Sequence, residues 1–277
     1  MNLIQFKTPE ESCKVGLVDG DQIIPLEGEG TLYGLALKAQ SANTELFSYA
    51  QALAKTQKNK GRTAYLDLMV DARLMLPFHQ PDTLRHSLAL MQESPQAAQG
   101  WRWSYLGDSS QLIFPFWPLK PSDKQSQLSC SAALAACYYI DNDRNYQLVG
   151  LTHSHHLTAD PLRHDGFDHL HASTFGPELN PAEPWLTKAA SQGIKGQVSI
   201  TKSDGQVQRE AFNMPLPDID SAAKLYFSQP WFCQRFHVHT LIIPLKASVP
   251  RSASAGDILE IQIDGLGRAL VNSIRAA

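Results

Sequence analysis

The chain opens with short apolar runs separated by polar turns. Leu3–Phe6, Val15–Val18 and Gln22–Pro25 are β-prone, and Asp19-Gly20 between the last two is a hairpin signal, because glycine accepts a positive φ. A β-meander is predicted over residues 2–26. From Thr31 to Lys55 the period changes. Leu32, Leu35, Ala36 and Ala39, then Leu46, Tyr49, Ala50 and Leu53, recur at helical spacing. Two helices are predicted there, the first with Thr31 as its N-cap. Gln57–Arg62 is polar and reads as a loop. Asp67–Leu76 leads into Pro77 and Pro81, which cannot continue a helix and begin a linker. The pattern divides the chain into a small N-terminal αβ domain, residues 1–76, and a larger domain, residues 77–277.

The larger part is mostly strand-like. Leu84–Gln99 reads as weakly helical, with Gly100 as its stop. Trp101–Gln127 reads as loops with one short strand near Leu112–Phe114. Ser131–Ile140, the turn Asp141-Asn142-Asp143 and Tyr146–Thr152 predict a hairpin. Pro161–Pro184 is loop-rich. Gly196–Thr201 and Gln206–Glu210 flank Lys202-Ser203-Asp204-Gly205 as a second hairpin. Asp218–Phe227 is helical, with Ile219, Ala222, Ala223 and Tyr226 on one face. Phe236–Leu245 is a strand. Ile258–Ile263 alternates cleanly, and Asp264-Gly265-Leu266-Gly267 turns it into Leu270–Ile274. No repeat or low-complexity segment interrupts this order. The fold class is α+β.

Composition narrows the function. With 277 residues and 43% hydrophobic content, a sizeable core is available. Lys and Arg are scattered, and the formal net charge is −3, so no nucleic-acid footprint is present. The N-terminus lacks the basic start and apolar run of a signal peptide. Apolar stretches such as Thr240–Leu245 are too short to span a bilayer. Cys13, Cys130, Cys137 and Cys233 are widely spaced and are expected to be buried thiols of a cytoplasmic protein. Six of the ten histidines lie between His153 and His171.

Several segments resemble the fumarylacetoacetate hydrolase family. The Gly256-Asp257 turn feeding Ile258–Ile263, the glycine turn at Gly265 and the strand ending at Asn272 are similar to its closing strands. Phe175-Gly176-Pro177-Glu178-Leu179 resembles its Gly-Pro step, and Asn213-Met214 the Asn-Met after its central hairpin. The sugar-acid (arabinonate-type) dehydratase branch is the better match. Leu3–Phe6, Val15–Val18, Thr31–Ala36 and Gln80-Pro81-Asp82 look like that branch's small domain and linker, and His237-Val238-His239 also fits. The resemblance implies a mixed β-roll preceded by a small αβ domain, assembled as a homodimer. It also implies chemistry on a keto-acid or sugar-acid assisted by Mg²⁺ or Mn²⁺ on carboxylates.

Those carboxylates are replaced here. The family's Glu-x-Glu strand aligns with Ser131-Ala132-Ala133. The acid on the next strand aligns with His156 or His155, the lysine before the Gly-Pro step with His169, and a Gly-Thr-Gly-x-Thr-His stretch with Leu90–Pro95. No cofactor is therefore expected, and magnesium least of all. The alternative is zinc or another transition metal on His156 and His169, because imidazole suits softer ions. His153 and His155, and His237 and His239, are i, i+2 pairs that a strand would present on one face, and they are pocket candidates. The plainer reading makes these histidines ordinary polar residues with backbone or water partners. Ser131 is a candidate nucleophile, although no G-x-S-x-G elbow or glycine-rich phosphate loop is present. Trp101, Trp103, Tyr105, Phe114, Phe116 and Trp117 line either a pocket, a dimer face or the core, and Tyr226, Phe227, Trp231 and Phe232 read the same way. Two functions stay open. One is a catalytically degenerate protein that keeps the fold and a small organic-acid pocket. The other is a hydrolase or hydratase working through histidines.

Overall fold

A computed structural model describes residues 1–28, 30–57, 61–78, 86–95, 97, 100–108, 112–119, 128–158, 170–229, 236–245 and 251–275, with the backbone alone at 104–108, 128–129, 156–158, 170–173 and 251. The N-terminal meander is β1 (Leu3–Lys7), β2 (Cys13–Asp19) and β3 (Gln22–Leu26), followed by α1 (Leu32–Ser41), α2 (Leu46–Thr56), β4 (Thr63–Ala64) and α3 (Tyr65–Val70). Thr31 caps α1 as expected, its Oγ1 accepting from Gly34 N at 3.0 Å. Leu32, Leu35, Ala36 and Ala39 are the buried stripe of that helix.

The rest of the chain contributes β5 (His86–Glu93), β6 (Trp101–Asp108), β7 (Leu112–Ile113), β8 (Leu128–Ile140), β9 (Tyr146–Thr158), β10 (Leu170–Phe175) and β11 (Glu178–Leu179). These are followed by α4 (Ala182–Gln192), β12 (Ile194–Thr201), β13 (Val207–Met214), α5 (Ile219–Phe227), β14 (Val238–Pro244), β15 (Arg251–Ala253), β16 (Ile258–Ile263) and β17 (Leu270–Ser273). The principal sheet runs β6-β5-β14-β8-β9-β10-β7, with β15 paired to β8. A smaller sheet runs β13-β12-β16-β17, and the N-terminal sheet runs β11-β1-β2-β3-β4. The predicted hairpins and closing strands are all present, with β8 and β9 extending well beyond their expected ends.

Three expectations are overturned. Residues 86–93 form a strand, parallel to β14, in place of a weak helix. His86–Met91 are buried without a break, so no alternation marks the strand, and a short apolar run of this kind is indistinguishable from a buried helix by period. Gly100, with φ 72°, closes the β5–β6 hairpin, and Trp101–Asp108 is a strand where loops are expected. Within the loop-rich stretch ending at Pro184, β10, β11 and the start of α4 are ordered. Pro184 is accommodated because it occupies the first turn of α4, where a missing N–H costs no helical bond.

Packing joins the three sheets. Cys137, Tyr139, Val149, Leu179 and Val238 share one apolar cluster with the N-terminal residues Leu3, Leu17, Leu32 and Phe47. A larger cluster joins Ala132, Leu134 and Ala136 of β8 to Trp185, Val198, Ile261 and the α5 residues Ala222 and Tyr226.

A polar clamp spans the molecule at Arg268. Its guanidinium bonds Glu178 Oε1 at 3.0 Å, Asp21 Oδ1 at 2.9 Å and the Gly20 carbonyl at 2.7 Å, and it lies 3.9 Å from the Tyr65 ring centroid. Glu178 is buried and also accepts from Asn2 Nδ2. Arg268→Ala leaves this carboxylate without its cation, and the expected loss is about 3 kcal/mol in urea unfolding, with Arg268→Lys recovering only part. A loss under about 0.5 kcal/mol would show the clamp to be an ordinary surface contact.

No helix among the described residues is long and apolar enough to cross a membrane. Cys130 and Cys137 are buried free thiols. Cys13 is only half-buried, contrary to expectation, with its Sγ 3.6 Å from Met75 Sδ, and Cys233 lies outside the described residues.

Candidate functional site

The site that the sequence points to lies on the β8–β9 hairpin, where side-chain parity controls everything. Ser131 pairs with His156, Ala132 with His155, Ala133 with Ser154 and Leu134 with His153. Directly paired residues share a face of the sheet. Ser131, Ala133 and Ser154 therefore occupy one face, and Ala132, Leu134, His153 and His155 the other.

The Ser131–Ala133 face is the inner side of the curl of the principal sheet. Ala133 and Ala135 share a cluster there with Leu88 and Leu90 of β5, Ile242 of β14, Leu112 of β7 and Phe175 of β10. Ala133 is 0% exposed and Ser131 is 7% exposed. Ser154 is paired beside them, and its Oγ donates to the Thr174 carbonyl at 3.0 Å. This face offers a methyl group and hydroxyls in apolar surroundings. Leu88, Leu90 and Phe175 fill the space beside Ala133.

His153 and His155 point the other way, into the layer between the principal sheet and β16–β17. Both are 0% exposed. Burial disfavours the imidazolium and lowers their pKa values to about 4 and about 3, partly offset by the Arg268 backbone at His153 and by Asn272 and the Leu270 backbone at His155. Both rings are neutral at pH 7. The two pocket candidates share one face of β9, as their spacing predicts, and that face is turned away from the Ser131–Ala133 position.

The second pair does not converge either. His237 precedes β14 and lies edge-on to Tyr33, with ring centroids 6.4 Å apart. His239 is buried among Tyr226, Phe227 and Phe236. Its Nδ1 is 3.1 Å from Tyr226 Oη, which is 2.6 Å from Ser87 Oγ. Burial also lowers its pKa, to about 4. Of the remaining candidates, the backbone of His156 lies in β9 opposite Ser131, its side chain is outside the description, and His169 lies outside the described residues.

The described aromatic residues do not line one pocket, and the Tyr105 side chain, Trp231 and Phe232 lie outside the description. Trp101 joins the large interlayer cluster and Trp103 packs edge-on to Tyr226. Phe114 packs against the inner-face cluster, Phe116 against the N-terminal one, and Trp117 is exposed. Two surface clefts formed by described residues lie elsewhere. One of 860 Å³ is bordered by Phe47, Leu148, Pro181 and Leu186, and one of 560 Å³ by Leu186, Gly193, Leu216 and Asp218. Neither is lined by Ser131, Ala133 or a histidine.

Sequence reading missed the residues that share the interlayer face with the histidines, namely Cys130, Thr174 and Asn272. Parity held the signal for Cys130, which is two positions from Ala132 and so on the same face as the residue opposite His155. The approach of Asn272 comes from β17, more than a hundred positions away, and no local pattern announces it.

No family model matches this sequence, and no curated protein matches it. Solved structures do. 2-Keto-3-deoxy-D-arabinonate dehydratase matches at 16% identity and a TM-score of 0.71, covering 100% of this chain and 99% of that one. The same enzyme complexed with magnesium and 2,5-dioxopentanoate matches with a TM-score of 0.69, at the same identity and coverage. Maleylpyruvate hydrolase from Sphingobium sp. SYK-6, in complex with manganese(II) ion and pyruvate, matches at 14% identity over 100% of both chains, with a TM-score of 0.65. The chain thus has the fumarylacetoacetate-hydrolase-like fold that the sequence resemblance implies.

Two of those structures hold a hard divalent ion, and the described residues here do not fit one. Such an ion takes several oxygen ligands, chiefly carboxylates. The positions aligned with the Glu-x-Glu supply one hydroxyl and one methyl, the latter enclosed by Leu90, Phe175 and Ile242. Among the described residues, no group of three or more His, Cys, Asp or Glu is arranged to hold a metal.

Proposed function

We propose that this chain is a catalytically degenerate protein of the fumarylacetoacetate-hydrolase-like fold, acting as a binding or partner-regulating module in place of a metal-dependent enzyme. Small organic acids are the ligand class to screen first. The observation that carries this reading is Ala133, whose methyl is part of a continuous apolar cluster on the inner face of the principal sheet. Chemistry that builds charge on a keto-acid oxygen depends on the cation beside it, and Ser131 and Ala133 offer such a cation no carboxylate.

The reading is tested by titrating the purified protein with Mn²⁺ and following the free-ion electron paramagnetic resonance signal. Parallel assays follow 2-keto-acid and sugar-acid turnover with Mg²⁺ or Mn²⁺. The free Mn²⁺ signal is expected to be undiminished, and no divalent-dependent turnover is expected. Stoichiometric Mn²⁺ uptake together with hydrolysis or dehydration would overturn the proposal. Metal-independent turnover lost on mutating His156 would replace it with the histidine enzyme.

A further inference from the structure

The two surface clefts both run beside α4. The 860 Å³ cleft is bordered by the chain from Pro181 to Thr187, and the 560 Å³ cleft by the chain from Leu186 to Gly193. They share Leu186 and Thr187, so together they follow all 11 residues of the helix, about 16 Å. The floor of this groove is apolar. Phe47, Leu148 and Val149 form one end, Leu186 the middle, and Leu216 and Ile219 the other end. Its charged border has one sign. Glu45 and Glu183 stand at the first end, Asp218 and Asp220 at the second. Asp218 accepts from Ser221 Oγ and N, which lowers its pKa and keeps it ionised. Among the described residues that line the groove, the Met1 amino group is the one cation, and Lys224, near Asp218, lies outside the lining. A helix start carries about half a positive charge. The starts of α2, α4 and α5, with Met1, therefore leave the four carboxylates in excess.

We propose that this groove docks a basic amphipathic helix of a partner protein, its apolar stripe lying along α4 and its Lys or Arg residues reaching the acids at both ends. The inference rests on the binding-module reading and names the partner class. Length fits, because about 16 Å holds three helical turns, enough for apolar anchors at i, i+3 or i+4, and i+7. Charge fits as well. Two acidic ends separated by an apolar floor call for cations at both ends of one apolar frame, and they repel an organic acid. A second copy of this chain is the poorer occupant. A two-fold pairing sets the same face on both subunits, so Glu45, Glu183, Asp218 and Asp220 would confront one another.

The probe is a fluorescein-labelled peptide of about 14 residues built from leucine and lysine, with leucines at i, i+3, i+4 and i+7. Its anisotropy is followed against the full chain, beside a control peptide with glutamate in place of lysine. The lysine peptide is expected to bind and the glutamate peptide to stay free. Glu183→Lys with Asp220→Lys, both exposed in the groove, should weaken binding at least about 10-fold. Thr187→Arg, exposed where the clefts meet, should do the same without touching the acids. Asp67→Lys with Asp143→Lys changes the net charge equally at exposed positions outside the groove and should leave binding unchanged. No binding of the lysine peptide, equal binding of the glutamate peptide, or equal weakening by the two double variants would overturn the proposal. A concentration-dependent dimer abolished by Thr187→Arg would also overturn it, in favour of a second copy. Failure of peptide binding without Mn²⁺ uptake strikes this inference alone, whereas Mn²⁺ uptake with turnover strikes the binding-module reading.

Discussion

Lowering the pH from 7 to 5 is expected to remove about 6 kcal/mol of folding stability, about 2 kcal/mol from each of three buried histidines. The groups are His153, His155 and His239, all buried, with burial as the main cause of pKa values near 4, 3 and 4. The sign follows from proton counting. In the unfolded chain each imidazole takes up its proton near pH 6.5, while in the folded chain it stays neutral until the pH nears 3 to 4. Between those values the unfolded state binds more protons, so stability rises with pH and is lost as pH falls through the window. Total stabilities of about 5–15 kcal/mol make this loss decisive. Urea midpoints measured between pH 7.5 and 5 should fall steeply, with a slope approaching three protons taken up on unfolding. A flat profile over that range would mean that these rings have partners or water access that keep their titration ordinary.

Introducing a carboxylate at Ala133 should be nearly as damaging. Ala133→Glu places a charged side chain among Leu88, Leu90, Leu112, Phe175 and Ile242. Overpacking and desolvation together should cost about 4 kcal/mol or more. The variant is expected to unfold at much lower urea concentration, and Mg²⁺ should not rescue it. The double variant Ser131→Glu, Ala133→Glu gives the sharper version, because it restores the family's spacing. If it folds like wild type and is stabilised by millimolar Mg²⁺, the inner face is an open metal site, and the degenerate reading falls.

The two predictions concern opposite faces of the principal sheet, and the sequence is unequally informative about them. The loss of the carboxylates at Ser131 and Ala133 is legible without coordinates once the framework segments are matched. The apolar filling behind Ala133 is not legible, because Leu88 and Leu90 come from a segment whose unbroken apolar run carries no period, and Leu112 and Phe175 arrive from separate strands. The histidine cluster is obvious in the sequence, but its orientation is not. Tyr138 pairs with Leu148 and Cys137 with Gly150, so β9 carries one extra residue, Val149. Straight pairing from the turn would set His153 opposite Ala133 and His155 opposite Ser131, on the inner face. The bulge shifts the register by one and sends both rings to the interlayer face.

By itself, then, the sequence determined the elements whose signals are local. These are the N-terminal meander with its Asp19-Gly20 turn, the helix capped by Thr31, the amphipathic stripe of α5 and the hairpins closed by short polar turns. Each rests on the conformational limits of a few neighbouring residues, which act wherever the segment finds itself. The tertiary structure decided what depends on partners distant in the chain. β5 is a strand because β14 and β6 flank it, α4 is a helix because Trp185 and Ala189 have a core to enter, and Asn272 meets His155 because two sheets pack together. It also decided the face of the histidines, since strand side chains alternate with a period of two and a single bulged residue reverses every assignment beyond it.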